Sequence, residues 1–336
     1  MKLSDFDYHL PEELIAKYPV QPRDMCRLMV LDRKNKTISH RIFRDITEYL
    51  QEGDLLVLND TKVIPARLIG RKKTGAKIEV FLLRQIEGDT WEALIKNMKR
   101  LKEGQEIVIG KDFSVQLLEK KEDGKALIKL LSSDINRAVY KYGHIPLPPY
   151  INREDREIDR ELYQTVFAKK EGAVASPTAG LHFTEELLKK LEKMGVKKTF
   201  ITLHVGLGTF QPIKVEDITK HKMHEEFYQI PDETVKLINQ AKENRSRVVA
   251  VGTTVVRALE TYGKTGKKEG MSNIFIYPPF NFRIVDTLIT NFHLPKSTLI
   301  LLVSAFAGKD FILRAYREAV KTRYRFFSYG DAMLIL

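Results

Sequence analysis

The pattern of hydrophobic residues changes twice along this chain, and that change limits the folds it can adopt. Outside residues 63–149, apolar strand-like runs alternate with amphipathic helical stretches, whereas inside them short β-type runs are separated by glycines. Strands that alternate with helices predict βαβ units and a largely parallel sheet. Closely spaced short strands with glycine turns predict a small barrel or sandwich. We therefore predict an α/β domain formed by residues 1–62 and 150–336, with a β-barrel domain inserted at 63–149.

A length of 336 residues suits two domains, because single hydrophobic cores stop growing below this size. One predicted helix carries signals at both ends, since Thr184 can cap its start and Gly195 can adopt the left-handed conformation after its end. The predicted helices cover 185–194, Asp232–Glu243 and Lys309–Lys321, and the predicted strands of the α/β domain cover 55–58, 199–205, Val248–Val251 and 288–292. The predicted strands of the insert cover 63–69, 76–83, 90–95, 105–109 and 126–131, and the proline-rich segment 143–151 is predicted to be the return linker.

Four polar blocks stand where strands of the α/β domain are predicted to end. They are SPTAGLHFT at 176–184, HVGLGTF at 204–210, GTT at 252–254 and TNFHLP at 290–295. Ligands collect outside the carboxyl ends of strands in such sheets. Any one block is typical of an ordinary turn, but turns have no general need for the imidazoles that three blocks contain. We predict that the four blocks form one site.

The chain carries a formal net charge of +12, which indicates a polyanionic partner and above all a nucleic acid. The charge-rich surfaces of thermophilic proteins explain a high charge content but not this imbalance. The basic cluster KNMKRLK at 96–102 fits a solvated hairpin edge somewhat better than an RNA contact. In the stretch 309–325, cations interleave with Tyr316 and Tyr324. This stretch could bind phosphates and stack its rings on bases, or pack an apolar helix face in the core while the arginines stay solvated, and the two are compatible because one face can do each job.

Cysteine content and apolar runs bear on the cellular compartment. Cys26 is the single cysteine, so the chain has no intramolecular disulfide and no zinc site built from several cysteines. The first eight residues lack the apolar core of a signal peptide, and the most apolar stretch, 299–307, is too short to span a bilayer. We therefore expect a cytoplasmic protein without a membrane partner.

Other short motifs give weaker signals. VGLGTF at 205–210 has Gln211 where a dinucleotide-binding turn has its third glycine, and no Walker-type lysine motif occurs. Ser176 lacks the flanking glycines of a nucleophile elbow, which favours hydrogen bonding over nucleophilic attack. His221 and His224 could form part of a metal site, but no spacing in the sequence supplies a third ligand, and we predict no metal.

In their order along the chain, the motifs closely resemble the S-adenosylmethionine:tRNA ribosyltransferase-isomerase family of queuosine biosynthesis. The matching segments are FDYHLP at 6–11, AKYP at 16–19, RD at 23–24, LNDTKVIPAR at 58–67, PLPPYI at 146–151, YQTVF at 163–167, SPTAGLHF at 176–183, LHVGLGTF at 203–210, GTTVVR at 252–257, TNFHLP at 290–295 and YRFFSYGDAM at 324–333. The resemblance implies an α/β barrel-like main domain with an inserted β-barrel. It also implies transfer of the ribosyl group of S-adenosylmethionine to 7-aminomethyl-7-deazaguanine at the tRNA wobble position.

The implied products are epoxyqueuosine-tRNA, adenine and methionine. No cofactor is implied, because S-adenosylmethionine is consumed as a substrate. The partners are tRNA and S-adenosylmethionine, and we expect a monomer. A carbon next to the sulfonium must lose a proton to a base, and an imidazole suits that task. The candidates are His182, His204 and His293, and a second of them or Asp60 could protonate the departing adenine.

The remaining candidate residues divide by what they would contact. Arg257 or backbone N–H groups at 206–209 could bind the methionine carboxylate. Asn59, Asp60 and Arg67 could hold the substrate or equally brace the domain junction. The full substrate-binding set is Asn59, Arg67, Ser176, Thr178, Gly180, Gly206, Gly208, Thr209, Thr253, Thr254, Arg257 and Asn291. The tRNA-binding set is Lys96, Lys99, Arg100, Arg317, Arg323 and Arg325.

Two other functions compete with the transferase. An RNA-binding module without chemistry would explain the basic residues, yet it gives no reason for His, Thr and Ser at strand ends. A hydrolase that uses a metal on His221 and His224 would need a further ligand.

Overall fold

The computed structural model describes residues 1–206 and 213–336. Its strands are β1 Arg27–Asp32, β2 Thr37–Ile42, β3 Leu55–Asn59, β4 Thr61–Val63, β5 Arg67–Arg71, β6 Lys77–Glu87, β7 Thr90–Lys96, β8 Glu106–Gly110, β9 Phe113–Lys120, β10 Lys125–Leu131, β11 Lys170–Ala173, β12 Lys197–Leu203, β13 Glu226–Gln229, β14 Val248–Val251, β15 Glu269–Ser272, β16 Thr287–Asn291 and β17 Ala332–Ile335. Its α-helices are α1 Ile135–Tyr142, α2 Asp159–Leu162, α3 Glu185–Lys193, α4 Asp232–Glu243, α5 Thr253–Thr265, α6 Thr298–Ala307 and α7 Lys309–Lys321.

The larger sheet has nine strands in the order β15-β13-β12-β3-β14-β16-β17-β1-β2. Its centre is parallel, because β12, β3, β14 and β16 all run in the same direction. Its flanks are mostly antiparallel, through the pairs β15–β13, β13–β12, β16–β17 and β1–β2. The prediction of a largely parallel sheet is therefore right for the centre and wrong for the flanks, where short connections such as the one between β1 and β2 join antiparallel neighbours.

The central strands are buried on both faces of the sheet. Leu55 and Val57 of β3 pack into a core that also contains side chains of α4 to α7, whereas Leu56 and Leu58 pack into a core with α3. Strands covered on both faces consist almost entirely of apolar residues, which explains why β3 is recognisable in the sequence. The polar residues that follow such strands are consequently held on a rigid platform.

A second sheet is a closed antiparallel barrel with the order β10-β7-β6-β5-β8-β9, and β11 and β4 form a separate two-stranded sheet. The structure confirms the predicted class of an α/β fold with a small antiparallel β-barrel. All six barrel strands lie between residues 67 and 131, and the domain boundaries at 62/63 and 149/150 stay a prediction. The predicted strand 63–69 is split into β4 and β5 around Pro65, which has no N–H to donate to a ladder. Strand β9 was absent from the predictions.

The chain enters the barrel at Arg67, and the returning segment pairs with it at His144. The Arg67 N–H and C=O both bond to the backbone of His144, at 3.2 and 2.9 Å, and its side chain pairs with Glu79 at 2.8 Å. The side chain of Gln164 bonds the N–H and C=O of Val63 across the same junction. Of the two predicted roles of Arg67, this geometry fits bracing of the junction.

The three predicted helices are present as α3, α4 and α7. The Thr184 hydroxyl accepts a hydrogen bond from the Leu187 N–H at 3.1 Å, and Gly195 after the helix has a φ of +83°. Both end signals of α3 are therefore confirmed. Among the described residues, no helix combines the length and the apolarity that crossing a membrane requires.

Candidate active site

A cavity of about 400 Å³ opens at the edge of the sheet where the parallel strands β12, β14 and β16 end. All four polar blocks contribute to its wall. Their lining residues are Ser176, Pro177, Thr178, Ala179, Val205, Gly252, Thr253, Thr254, Thr290, Asn291, Phe292, His293, Leu294 and Pro295. The four blocks therefore lie together, at the edge where ligands bind in sheets of this kind.

Two buried hydroxyls in the cavity wall have no hydrogen-bond partner among the described residues. Ser176 Oγ and Thr254 Oγ1 are both buried without a partner. A buried polar group without a partner costs about 1–3 kcal/mol, which a bound ligand or water offsets by supplying the missing bond. Since both side chains line the cavity, a polar ligand in it could complete their hydrogen bonds.

Thr254 is the second residue of helix α5, and the start of this helix places it at the cavity. Gly252 has a φ of +95°, a conformation that glycine adopts without strain, and it turns the chain from β14 into the helix. Gly252, Thr253 and Thr254 all line the cavity. The first N–H groups of an α-helix have no intrahelical acceptor and carry partial positive charge. This wall of the cavity therefore suits an anionic group such as a carboxylate.

His293 is the histidine that lines the cavity. Its Nε2 lies 2.9 Å from Thr290 Oγ1, its backbone N–H donates to the Tyr316 hydroxyl at 3.1 Å, and its carbonyl accepts from the Tyr8 hydroxyl. These contacts fix both the ring and its backbone. Burial lowers the pKa of His293 to about 3, so the imidazole is neutral at physiological pH.

His182 lies behind the cavity wall. Its Nε2 is 3.0 Å from Asn291 Nδ2 and its Nδ1 is 3.2 Å from Cys26 Sγ. Because an amide nitrogen only donates, the proton of the neutral ring belongs on Nδ1. Burial, with smaller contributions from Arg23 and Arg325, lowers the pKa of His182 to about 3. His182 therefore orients Asn291, which lines the cavity, and does not itself reach a ligand there.

His204 lies outside the set of cavity-lining residues. Its Nδ1 is 2.8 Å from Thr61 Oγ1 and its ring stacks on Phe227. Burial lowers the pKa of His204, while the nearby Asp60 opposes that shift. The Asp60 carboxylate accepts from the Thr202 hydroxyl at 2.6 Å. Neither residue is placed to exchange a proton with a ligand in this cavity.

The side chain of Asn59 bonds within the sheet and does not line the cavity. Its amide group bonds the C=O and N–H of Leu203 at 2.9 and 3.0 Å, and its Oδ1 also accepts from the Thr61 N–H. Two of these bonds join the ends of β3 and β12, and the third fixes the start of β4. As with Arg67, the bracing alternative fits this geometry.

Arg257 does not line the cavity, and its contact with a substrate carboxylate stays a prediction. It is buried, its guanidinium pairs with the equally buried Glu226, and Glu226 also accepts from the Gly206 N–H at 2.9 Å. A buried arginine takes a carboxylate partner wherever one is available, because an uncompensated buried charge costs several kcal/mol. The pair anchors Gly206 at the start of the glycine segment.

The remaining glycines and threonines of the predicted substrate-binding set differ in whether they line the cavity. Thr178 lines the cavity and donates to Asn291 Oδ1 at 3.2 Å. Gly180 lies under the wall, where a Cβ would come within 2.8 Å of Phe167, so it is needed for packing and not for ligand contact. Gly208 and Thr209 lie outside the described residues.

Two aromatic residues of the wall were not predicted as site residues. Tyr150 stacks on Phe327 with a centroid distance of 4.4 Å, and both line the cavity. Phe327 has a φ of +70°, a conformation rare for a non-glycine residue and found most often at functional sites. Tyr150 lies in the predicted linker and Phe327 in the aromatic C-terminal stretch, so a sequence signal existed but had been attributed to other roles. Their rings offer a planar ligand a stacking surface.

The predicted tRNA contacts are exposed on both domains. Lys96, Lys99 and Arg100 are exposed on the barrel, and Arg317 and Arg323 are exposed near the C-terminus, with Arg325 half-buried. The aromatic rings among the C-terminal cations behave differently: Tyr316, Tyr324, Phe326 and Phe327 are buried. Core packing is therefore the correct interpretation for Tyr316 and Tyr324, and stacking of these two rings on bases is wrong.

The histidine pair at 221 and 224 stands apart from the cavity. His221 packs edge-on against Phe275, and burial, with a smaller contribution from His224, lowers the pKa of His221. Within residues 1–206 and 213–336, no group of three or more His, Cys, Asp or Glu side chains is arranged to hold a metal ion.

Comparison with known proteins assigns the family. The family model described as "Queuosine biosynthesis protein" matches residues 3–335. Proteins named S-adenosylmethionine:tRNA ribosyltransferase-isomerase from Sulfurihydrogenibium sp. (strain YO3AOP1), Thermotoga maritima and Aquifex aeolicus are 70%, 58% and 57% identical, each over 100% of both chains. The crystal structure of S-adenosylmethionine tRNA ribosyltransferase from Thermotoga maritima matches with a TM-score of 0.57 and 46% identity, over 99% of this chain and 100% of that one. The chain therefore belongs to the queuosine biosynthesis protein family.

Proposed function

We propose that this protein transfers and isomerises the ribosyl group of S-adenosylmethionine onto 7-aminomethyl-7-deazaguanine at the wobble position of a tRNA. The products are epoxyqueuosine-tRNA, adenine and methionine. The observation that carries the proposal is the cavity at the strand ends, where a neutral histidine, two unpartnered hydroxyls and a helix N-terminus meet. The names of the relatives supply the reaction class, and the tRNA substrate implies a cytoplasmic location.

The polar wall suits the methionine part of S-adenosylmethionine. The first turn of α5 offers N–H groups and the Thr254 hydroxyl to a carboxylate, and Ser176 offers a second hydroxyl. The stacked pair Tyr150 and Phe327 offers an aromatic surface to the adenine. The wall thus provides complementary groups for both ends of the same molecule.

His293 is the base of this proposal. Among the described lining residues, the side chains that exchange protons are Tyr150, His293 and Lys296. Burial raises the pKa of Tyr150 well above its usual value, and Lys296 pairs with Asp7 at 2.6 Å. The neutral imidazole of His293 therefore remains as the acceptor for the proton on the carbon next to the sulfonium.

Charge balance favours this proton transfer inside a closed cavity. Loss of the proton turns the sulfonium into a neutral ylide, and gain of it turns His293 into a cation, so the net charge in the cavity stays the same. A buried site resists the creation of new charge far more than its relocation. The protonated His293 can then return the proton to the departing adenine, which removes the need for a separate acid such as Asp60.

The reaction can be tested by its most readily detected product. We expect free adenine when the protein is mixed with S-adenosylmethionine and a tRNA that carries 7-aminomethyl-7-deazaguanine, as measured by chromatography. A tRNA with guanine at the same position is the matched control and should give none. If the modified tRNA also gives no adenine, the transferase proposal is wrong and an RNA-binding module without chemistry becomes the better explanation.

Thr254 provides a test of the ligand site that separates binding from stability. Thr254→Val keeps the shape and removes the hydroxyl that has no partner in the described residues. We expect the KM for S-adenosylmethionine to rise about tenfold, because a hydrogen bond to a charged group is worth about 1.5–3 kcal/mol. The melting temperature should stay the same or rise, since an unsatisfied buried hydroxyl is lost.

Ser304 is a matched control for this variant. Its hydroxyl is also buried without a partner among the described residues, but it lies in α6 and does not line the cavity. Ser304→Ala should leave the KM unchanged. An unchanged KM in Thr254→Val as well would show that the Thr254 hydroxyl does not contact the substrate.

A further inference from the structure

A surface formed by one exposed tyrosine and several cations lies beside the cavity and has no part in the site described above. Tyr18 is 40% exposed, and the guanidinium carbons of Arg153 and Arg156 lie 4.3 and 5.4 Å from the centre of its ring. Arg325 donates to the Tyr18 carbonyl, and Lys17 is exposed next to it. We call these five residues the Tyr18 surface.

The backbone connects the Tyr18 surface to the cavity wall over a short distance. The Ala16 N–H bonds to the Phe326 carbonyl at 3.2 Å, and Phe327, the next residue, lines the cavity. Two residues of extended chain cover at most about 7 Å, and the hydrogen bond and the step from Phe326 to Phe327 add a few Å each, so Tyr18 lies within about 15 Å of the cavity wall. A nucleotide chain with one base in the cavity would have its neighbours at this surface.

The cations of the Tyr18 surface differ in whether a carboxylate of the protein pairs with them. Arg153 is paired with the buried Asp159 at 2.6 Å, so it supports the ring of Tyr18 and is not free for a new anion. Arg156 is exposed, and no carboxylate in the described parts of the chain pairs with its side chain. Of the neighbouring acidic residues, Asp155 is paired with His144 and Glu157 with Arg160, whereas the exposed Glu154 contributes only its carbonyl, to Arg153. Arg156 therefore keeps its charge for an external partner.

An aromatic ring bordered by free cations fits single-stranded nucleic acid better than a protein partner. Bases stack on exposed aromatic rings and on guanidinium planes, and phosphates pair with the cations around them. Tyr316 and Tyr324, the rings that the sequence suggested for this task, are buried, whereas Tyr18 is accessible. The net charge of +12 agrees with such a partner.

We propose that the Tyr18 surface binds the single-stranded RNA next to the nucleotide that enters the cavity, with Tyr18 as the stacking platform and Arg156 as a phosphate contact. This inference rests on the proposed function, because the cavity must accept a nucleotide of the same RNA. It adds to the predicted tRNA contacts a surface that adjoins the site of reaction.

The test uses the full-length protein and measures two substrates separately. In Tyr18→Ala, the Kd for the anticodon stem-loop and the KM for tRNA should rise about tenfold, because stacking of one base on an aromatic ring is worth about 1–3 kcal/mol. The KM for S-adenosylmethionine should stay as in the wild type. Tyr18→Phe retains the ring and should bind RNA like the wild type.

Arg156 is tested through the salt dependence of RNA binding. Arg156→Ala should reduce the slope of log Kd against log salt concentration by about 1, as expected for the loss of one phosphate contact. Arg245→Ala is the matched control, because Arg245 is exposed and precedes β14, at the edge of the sheet opposite the cavity. It should leave the slope unchanged.

The outcomes distinguish this inference from the proposed function. If the wild type releases adenine but Tyr18→Ala binds RNA with unchanged affinity, the Tyr18 surface is not an RNA contact. If Tyr18→Phe is as defective as Tyr18→Ala, the hydroxyl and not the ring is responsible, and stacking is wrong. If the wild type releases no adenine, the proposed function fails, while the binding measurements still decide whether the surface holds RNA.

Discussion

Replacing His293 with glutamine should lower kcat about a thousandfold, because a positioned general base contributes roughly 10²–10⁴ to the rate. His293 is the neutral imidazole in the cavity wall, and its ring is fixed by the contact of Nε2 with Thr290 Oγ1 at 2.9 Å. Glutamine can keep a hydrogen bond to Thr290 but cannot accept a proton at neutral pH. Adenine release under saturating substrates measures kcat, and calorimetric titration with S-adenosylmethionine should give a Kd within a few-fold of the wild type.

His182→Gln is the comparison that separates a base from a positioning residue. His182 contacts Asn291 Nδ2 from behind the cavity wall, so its loss should disturb ligand orientation and reduce kcat about tenfold, by an amount typical of a supporting contact. Equal losses in the two variants would mean that both act through the same structural disturbance. Full turnover in His293→Gln would remove His293 from the chemistry.

The three candidate histidines could not be ranked from the sequence, because their surroundings come from distant parts of the chain. His182 contacts Cys26, which precedes it by 156 residues, and His204 contacts Thr61, 143 residues earlier. The sequence places all three histidines after strands. Only the folded structure shows that His293 lines the cavity, whereas His182 and His204 do not. The ion pair of Arg257 could not be predicted for the same reason, since nothing in the local sequence identifies Glu226 as its partner.

The elements that the sequence predicted well are those with a local signal. Helix α3 has an amphipathic pattern and both end signals, and β3 is an uninterrupted apolar run. Helix α6 was not predicted, because eight of its ten residues are buried and no hydrophobic face stands out. The antiparallel flanks of the sheet were missed because pairing direction depends on how the chain returns, which short apolar runs do not encode.

Acidification should destabilise this protein strongly below pH 6.5, through its two fully buried histidines. Burial lowers the pKa of His182 and of His293 to about 3 in the folded state, from 6.5. Between these values the unfolded chain binds more protons than the folded one, so the free energy of unfolding falls as the pH falls. Each group contributes about 1.36 kcal/mol per pH unit, which amounts to roughly 5 kcal/mol for both between pH 6.5 and 4.5.

Urea unfolding at several pH values measures this effect, and variants isolate it from the carboxylates that titrate in the same range. His182→Gln cannot take up a proton, so the slope of unfolding free energy against pH between 6.5 and 4.5 should decrease by about 1.36 kcal/mol per unit. His293→Gln should give the same decrease, and the double variant twice as much. The two reductions should add, because each histidine bonds to different partners: Cys26 and Asn291 for one, Thr290 for the other. A slope that neither substitution changes would mean that the folded protein takes up these protons as readily as the unfolded chain, so that burial does not lower the pKa of either histidine.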